Sequence, residues 1–399
     1  MKNHERWSRL ASFFKLSVKD RRKTLLSLPV DLTEEDFALL DRGLSLFDAE
    51  RMSENVIATF ALPFSVAANF VVDEKPVLVP MVTEEPSIVA GCSKMAKLVS
   101  KSGGFFTSVD RALIKGQIQI YGLRDVDKAL VDFRRHKQDL LDFSRSLCVN
   151  MQKRGGGIVD IDVRILSSQA LGPMMVIEPV MDVVDAMGAN AVNTVVEELA
   201  HTVSRMIDGK IGLKILSNLC DRRLARARCS IPIKHLGGYD PSEGNTIAES
   251  LIAGHALAEC DIYRAATHNK GILNGIDAVA LATGNDFRAI EAGAHAFAAL
   301  NTAYRPLTSL SLNDSMEAIS CELTLPLAVG VVGGIAHLHH GVKLSRKLLG
   351  EFGTTARGLA SVMASVGLCQ SLAALFALAT EGIQKGHMKL HQKKLGLSL

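Results

Sequence analysis

Between positions 112 and 218 the spacing of apolar residues changes period several times. Gln117-Ile118-Gln119-Ile120-Tyr121 alternates, as a strand with one buried face does. Positions 125–150 switch to helical spacing, with Leu130, Phe133, Leu140, Leu141 and Phe143 available to one side of a charged segment. After Gly155-Gly156-Gly157 the alternation returns over 158–166, and Gly172-Pro173 turns the chain into a third strand over 174–183. Val192, Val195, Val196, Leu199, Val203 and Met206 mark a helix over 190–207, and 212–216 closes a fourth strand. The order β-α-β-β-α-β is that of a ferredoxin-like domain, predicted over 111–222.

The flanks read differently. Residues 1–28 mix Arg and Lys with Leu and Phe and lack an unbroken apolar core, which predicts a short amphipathic helix, not a signal peptide. Thr33-Glu34-Glu35-Asp36 has the form of a helix cap with acidic residues in the first turn. Strands are expected at 67–72 and 76–80, and Ala- and Gly-rich helices at 244–258, 286–299 and 355–379. The expected architecture is α+β: a large α/β domain from 1–110 and 223–386, with the ferredoxin-like domain inserted and 387–399 starting a C-terminal flap. The most apolar stretch, 323–336, is too short to span a bilayer and carries Pro326, Gly330, Gly333 and Gly334.

Composition narrows the class. At 399 residues the chain exceeds a single small core, and 48% hydrophobic with 22% charged residues is ordinary for a soluble enzyme. The net charge of +3 comes from 45 basic and 42 acidic residues spread along the chain, which excludes the basic stripe of a nucleic-acid binder. Seven cysteines, scattered and never in a CxxC pair, predict reduced thiols and no zinc site. A cytoplasmic protein without membrane or nucleic-acid partners is expected.

Four strings carry candidate chemistry: Glu84-Glu85-Pro86-Ser87, His268-Asn269-Lys270-Gly271, Gly284-Asn285-Asp286 and Gly386-His387-Met388. Together they supply what reduction of a thioester needs. An ammonium can hold a developing oxyanion, carboxyls can share protons with it, and a histidine can protonate a departing thiolate. Each also has a plain local reading. Lys270, expected on a Gly-terminated turn, is the kind of loop lysine that is ordinarily solvated. Glu84-Glu85 suits a helix start, and Asp286 suits a helix cap. No GxGxxG follows a strand. Asp185-Ala186-Met187-Gly188-Ala189-Asn190 instead lies where a strand passes into a helix, a place for a pyrophosphate or simply a tight turn. His387 and His391 stand at i, i+4, but no HExxH pattern or third ligand accompanies them, so no metal is expected.

In order along the chain, Glu54-Asn55-Val56-Ile57, Glu84 to Ser87, Asp185 to Asn190, Arg264-Ala265-Ala266-Thr267-His268-Asn269-Lys270-Gly271, Thr283 to Asp286 and Gly386 to Met388 resemble the 3-hydroxy-3-methylglutaryl-coenzyme A reductases. The bacterial, class II branch is most similar, over about 54–391. The resemblance implies four-electron reduction of the acyl-CoA to mevalonate and free coenzyme A with two NADPH or NADH, in the mevalonate route to isoprenoids. The same site run backwards, oxidising mevalonate, is the alternative. It also implies a homodimer, or a higher assembly built on one, with the site at the subunit interface.

By resemblance, Lys270 would hold the oxyanion and Glu85 would be the acid. Asp286 would hydrogen-bond to both, and His387 would protonate the thiolate. Arg264, Ser87 and Asn274 would hold the carboxylate and hydroxyl end of the substrate; Glu54 and Gln370 would line its cleft. Asp185, Met187, Gly188, Ala189 and Asn190 would line the dinucleotide, with Asn218 near the nicotinamide. The chain departs from the family in three places. Cys148 stands where NADH-preferring relatives have an aspartate, and Arg145, Lys153 and Arg154 lie nearby, which predicts that NADPH is accepted. Ser371 follows Gln370 where relatives often have Asn, predicting a weaker substrate contact. The flap after His387 is expected to be mostly missing.

Overall fold

The computed structural model describes residues 9–237, 241–301, 303–334, 338–380 and 382. Among them, ten strands form three sheets, and the chain divides into two units. One takes 110–224 and 326–330; the other takes the described residues of 1–109, 225–325 and 331–399.

The smaller unit holds β4 (Leu113–Tyr121), β5 (Gly157–Ser168), β6 (Gly172–Asp182) and β7 (Lys210–Leu216), ordered β5-β6-β4-β7 and antiparallel throughout. Helices Val126–Leu147 and Ala189–Met206 complete the β-α-β-β-α-β succession, the ferredoxin-like arrangement expected from periodicity. Burial alternates along β4, and Ile114, Ile118 and Ile120 meet Met175, Ile177 and Met181 of β6 and Leu199 and Val203 of the second helix. A Cβ at Gly116 would come within 2.3 Å of Val196, so this glycine lets helix and sheet close up. The long helix ends at Leu147, with a separate turn, Val149–Gln152, after it. The short return of chain at 326–330 carried no periodic signal.

The larger unit contains a hairpin, β1 (Phe64–Val72) with β2 (Lys75–Val82), longer at both ends than expected. It also contains a four-stranded sheet that the sequence reading missed. Its order is β3-β8-β10-β9, from β3 (Phe106–Val109), β8 (Leu224–Pro232), β9 (Thr308–Leu312) and β10 (Ala318–Pro326). The inward positions of β8 are Ala225, Ala227, Cys229 and Ile231, small residues that resemble the Ala-rich helices around them. Helices Ile88–Ser100, Ile262–Thr283 and Ala356–Ala379 pack on one another and on the hairpin. Ala356–Ala379 is apolar all round because it runs through the core, and its length and hydropathy would otherwise suit a membrane span.

At the N-terminus the expected single helix is two pieces, a 3-10 segment Arg9–Lys15 and a helix Val18–Leu26 that Ser17 caps. Thr33 and Asp36 form both halves of the expected capping box. All seven cysteines are free, and only Cys260 is exposed.

Candidate active site

Lys270 lies in the interior of the Ile262–Thr283 helix, not on a turn. Tertiary packing overrides the local glycine signal here. Ile272, Leu273, Ile276 and Val279 bury one face of the helix, and Gly271 faces open space. Gly275 permits a close crossing with Ala356–Ala379, since a Cβ there would lie 2.9 Å from Val366 and 3.1 Å from Gln370. The residues just before Lys270 anchor the helix. Asn269 donates to the Arg305 carbonyl at 2.9 Å and accepts from the Leu307 N–H at 3.0 Å. His268 Nε2 lies 2.6 Å from Thr308 Oγ1 and 3.3 Å from Ser371 Oγ.

With its neighbours held, Lys270 presents its amine outward, 64% exposed and 3.8 Å from Glu85 Oε2. Glu85 follows the end of β2, where Thr83 Oγ1 accepts its N–H at 3.3 Å. Ser87 then starts the Ile88–Ser100 helix at φ 88°, an unusual conformation for a residue with a Cβ, and without a side-chain cap. Backbone strain of that kind gathers at functional turns. Glu84 is exposed, whereas Glu85 is half-buried.

Other expected substrate residues divide. Asn274 stands one turn beyond Lys270 and is half-buried. Arg264, in the first turns of the same helix, has its guanidinium lowered by burial. Gln370 is buried, and its Oε1 accepts from the Cys92 thiol at 2.9 Å, so that oxygen serves the core and not the cleft. Ser371 is buried, with its Oγ 3.3 Å from His268 Nε2. Glu54 is exposed and makes no hydrogen bond or ion pair among the described residues. Beside it Ile57 is 95% and Phe60 90% exposed.

Within one chain Asp286 hydrogen-bonds to neither Lys270 nor Glu85. Its Oδ1 accepts from Ala289 N at 3.2 Å and lies 3.4 Å from Arg288 Nε, capping the Phe287–Ala298 helix. The rise of the helix from Lys270 to Thr283 alone is about 20 Å, more than the two side chains can span. Gly284, at φ 68°, caps the helix there. His387, and the flap beyond it, lie outside the described residues.

Two features behind the pair were not anticipated. Burial, followed by the charges of His255 and Arg264, pushes His268 down to about 3. The folded chain therefore keeps His268 neutral, whereas the unfolded chain protonates it below about 6.5. Its contribution to stability is full above pH 6.5 and is lost as pH falls toward 3, by an amount on the order of a few kcal/mol. Urea unfolding across this range should show that loss, and His268→Gln should flatten it; an unchanged slope would count against the assignment. Second, burial and then Glu291 push Asp277 up to about 8, so Asp277 stays protonated at neutral pH. An acid inside the apolar run 276–282 was the available signal.

In the smaller unit β6 leads into the turn 185–190. Val184 sits at φ 53°, costly for a β-branched residue, with its N–H held by Asp182 Oδ1 at 3.0 Å. Gly188, at φ 105°, starts the Ala189–Met206 helix, and a Cβ there would come 2.7 Å from Val183. No side chain caps this helix, so its first N–H groups remain available to an anion such as a pyrophosphate. Asp185, Met187 and Ala189 are part-exposed along the turn; Asn190 and Asn218 are exposed. Arg223, which the sequence did not single out, is buried beneath it, its guanidinium lowered by that burial to about 10.

Arg145 is paired with Asp142 at 2.7 Å, and Lys153 and Arg154 are exposed. Cys148 is 4% exposed within the core, and burial raises its thiol. Burial keeps the Cys148 thiol from contact with a dinucleotide, against the expectation.

A family model described as hydroxymethylglutaryl-coenzyme A reductase matches residues 17–392. The 3-hydroxy-3-methylglutaryl-coenzyme A reductase of Archaeoglobus fulgidus is 43% identical over 390 residues, 98% of this chain and 87% of that protein. A probable reductase of the same name from Borreliella burgdorferi is 33% identical, over 97% of this chain and 88% of that one. Among solved structures, the class II reductase of Streptococcus pneumoniae bound to NADPH superposes with a TM-score of 0.89 at 38% identity, covering 93% of this chain and all of that one.

Proposed function

The chain belongs to the hydroxymethylglutaryl-coenzyme A reductase family and is an oxidoreductase; on that premise we propose that it reduces 3-hydroxy-3-methylglutaryl-CoA to mevalonate and coenzyme A, consuming two NAD(P)H. The observation that carries this reading is the Lys270–Glu85 pair, 3.8 Å apart from two distant stretches of sequence.

Addition of hydride to the thioester carbonyl leaves an alkoxide. The Lys270 ammonium faces that oxygen, and fixed charge at a developing anion is usually the largest catalytic contribution. Glu85 beside it supplies the proton. Arg264 takes the free carboxylate of the substrate, for which its planar fork suits, with Ser87 and Asn274 at the hydroxyl end. His387 protonates the departing thiolate. Bound nicotinamide supplies the hydride, and the uncapped helix start at Gly188 fits its pyrophosphate. The assay is absorbance loss at the nicotinamide band with the thioester. Two cofactors oxidised per mevalonate formed is the expected ratio; a ratio of one, with aldehyde as product, would overturn the four-electron reading.

The working unit in this proposal is a homodimer in which Asp286 reaches the Lys270–Glu85 pair of the other copy. The distance within one chain supports this. So do the exposed Ile57 and Phe60 beside Glu54, since large apolar side chains that far into water mark a contact surface. Free cysteines fit a reducing cytoplasm.

NADPH is the proposed cofactor, because the guanidinium groups of Arg145 and Arg154, close in sequence, can take a 2′-phosphate. Arg145→Ala with Arg154→Ala should lower kcat/KM for NADPH by about tenfold and leave NADH unchanged. A wild-type enzyme that strongly prefers NADH would remove this assignment.

A further inference from the structure

We propose that Arg223 is a positioning residue for dinucleotide binding, fixing the backbone of the 185–190 turn from beneath; this rests on the reading of that turn as the dinucleotide site. The Arg223 guanidinium donates to the carbonyls of Met187 at 3.0 Å, Ala186 at 3.2 Å and Val329. Its own carbonyl accepts from the Leu327 N–H at 3.1 Å, so residue 223 ties the turn to the 326–330 segment twice over. A buried guanidinium satisfied by backbone carbonyls is rigid in a way a lysine is not, because five donors lie in one plane.

The consequence for the turn follows from peptide geometry. A trans peptide holds its N–H opposite its C=O. With the Met187 carbonyl turned to Arg223, the Gly188 N–H points away from the guanidinium. That N–H has no partner among the described residues, and it stands at the uncapped start of the Ala189–Met206 helix. Successive free N–H groups of this kind form an anion-binding concavity only if their planes are held. The same turn has a second brace. A Cβ at Gly330 would lie 2.4 Å from Met187 N, so the 326–330 segment presses directly on the backbone that Arg223 grips. Upstream, Arg111 Nε donates to Asp182 Oδ2 at 3.0 Å while Asp182 holds the strained Val184. A turn with Val184 at φ 53° and Gly188 at φ 105° keeps that shape only when its surroundings enforce it.

The test is direct titration of NADPH onto the full protein, by calorimetry or by the change in nicotinamide fluorescence, for Arg223→Lys, Gly330→Ala and Gly188→Ala. Kinetics with both substrates accompany it. Arg223→Lys keeps the charge and loses the fork; Gly330→Ala leaves Arg223 intact and crowds the Met187 backbone directly. Both should weaken NADPH binding roughly ten- to a hundredfold, with KM for the thioester unchanged and the melting transition retained. If Gly188→Ala weakens NADPH binding while the other two bind as wild type, the positioning role is wrong and the turn stands as the site. If Gly188→Ala binds NADPH normally, the reading of the turn fails, and the role of Arg223 with it. Should Arg223→Lys lose its fold, Gly330→Ala alone decides.

Discussion

Replacing Lys270 by alanine should lower kcat for thioester reduction by about 10³-fold or more, with the thioester KM little changed and the fold intact. A preorganised donor at a developing oxyanion contributes about 10²–10³, and Lys270 brings a full charge beside the acid Glu85. The Lys270 side chain is 64% exposed, so its removal leaves no cavity and no unpaired buried group. Surface replacements of that kind shift stability within about 0.5 kcal/mol. A loss in kcat at constant KM is the signature of an interaction made only in the transition state. Stopped-flow or steady-state absorbance at the nicotinamide band reads the effect directly. A variant retaining a tenth or more of wild-type kcat would show that the oxyanion is held by something else.

The second large effect separates a site shared between two chains from a site within one. Lys270→Ala and Asp286→Asn should each be nearly inactive alone. Co-refolded in equal amounts, they should recover about a quarter of wild-type activity, because half of the dimers are mixed and each mixed dimer has one intact site of two. In such a dimer one site draws both its lysine and its aspartate from unmutated positions, while the other lacks both. If Asp286 acted within its own chain, every site would carry one lesion and mixing would recover nothing. The distance argues for the first outcome, since the helix from Lys270 to Thr283 rises about 20 Å before the chain reaches Asp286. Asn, not Ala, is the replacement because Asp286 also caps the Phe287–Ala298 helix, and an asparagine keeps that cap.

The two readings of Asp286, catalytic group and helix cap, were rivals in the sequence and are compatible in the structure. Its Oδ1 serves the cap, while its Oδ2 makes no hydrogen bond among the described residues. For Lys270 the local signal misled: His268-Asn269-Lys270-Gly271 reads as a turn, yet Asn269 and His268 pin it as helix through Arg305, Leu307 and Thr308, contacts from far along the chain. For Gln370 and Ser371 the resemblance pointed to the cleft, and the structure adds that Gln370 Oε1 accepts from Cys92 and that Ser371 Oγ lies against His268. The missed sheet has a similar cause. Ala225, Ala227 and Cys229 alternate as a strand requires, but such small residues carry little contrast in hydrophobicity and sit among Ala-rich helices.

The sequence by itself determined the ferredoxin-like succession of the smaller unit, because strands that bury one face and helices that bury one stripe write their period into the order of residues. It also determined the family, because six motifs in one order are local text. Only the tertiary structure decided that Lys270 sits inside a helix 3.8 Å from Glu85, that Asp286 lies out of reach in its own chain, and that Arg223 grips the 185–190 turn. Those facts depend on where helices end and which faces they bury, and both are set by contacts between residues that no local window contains.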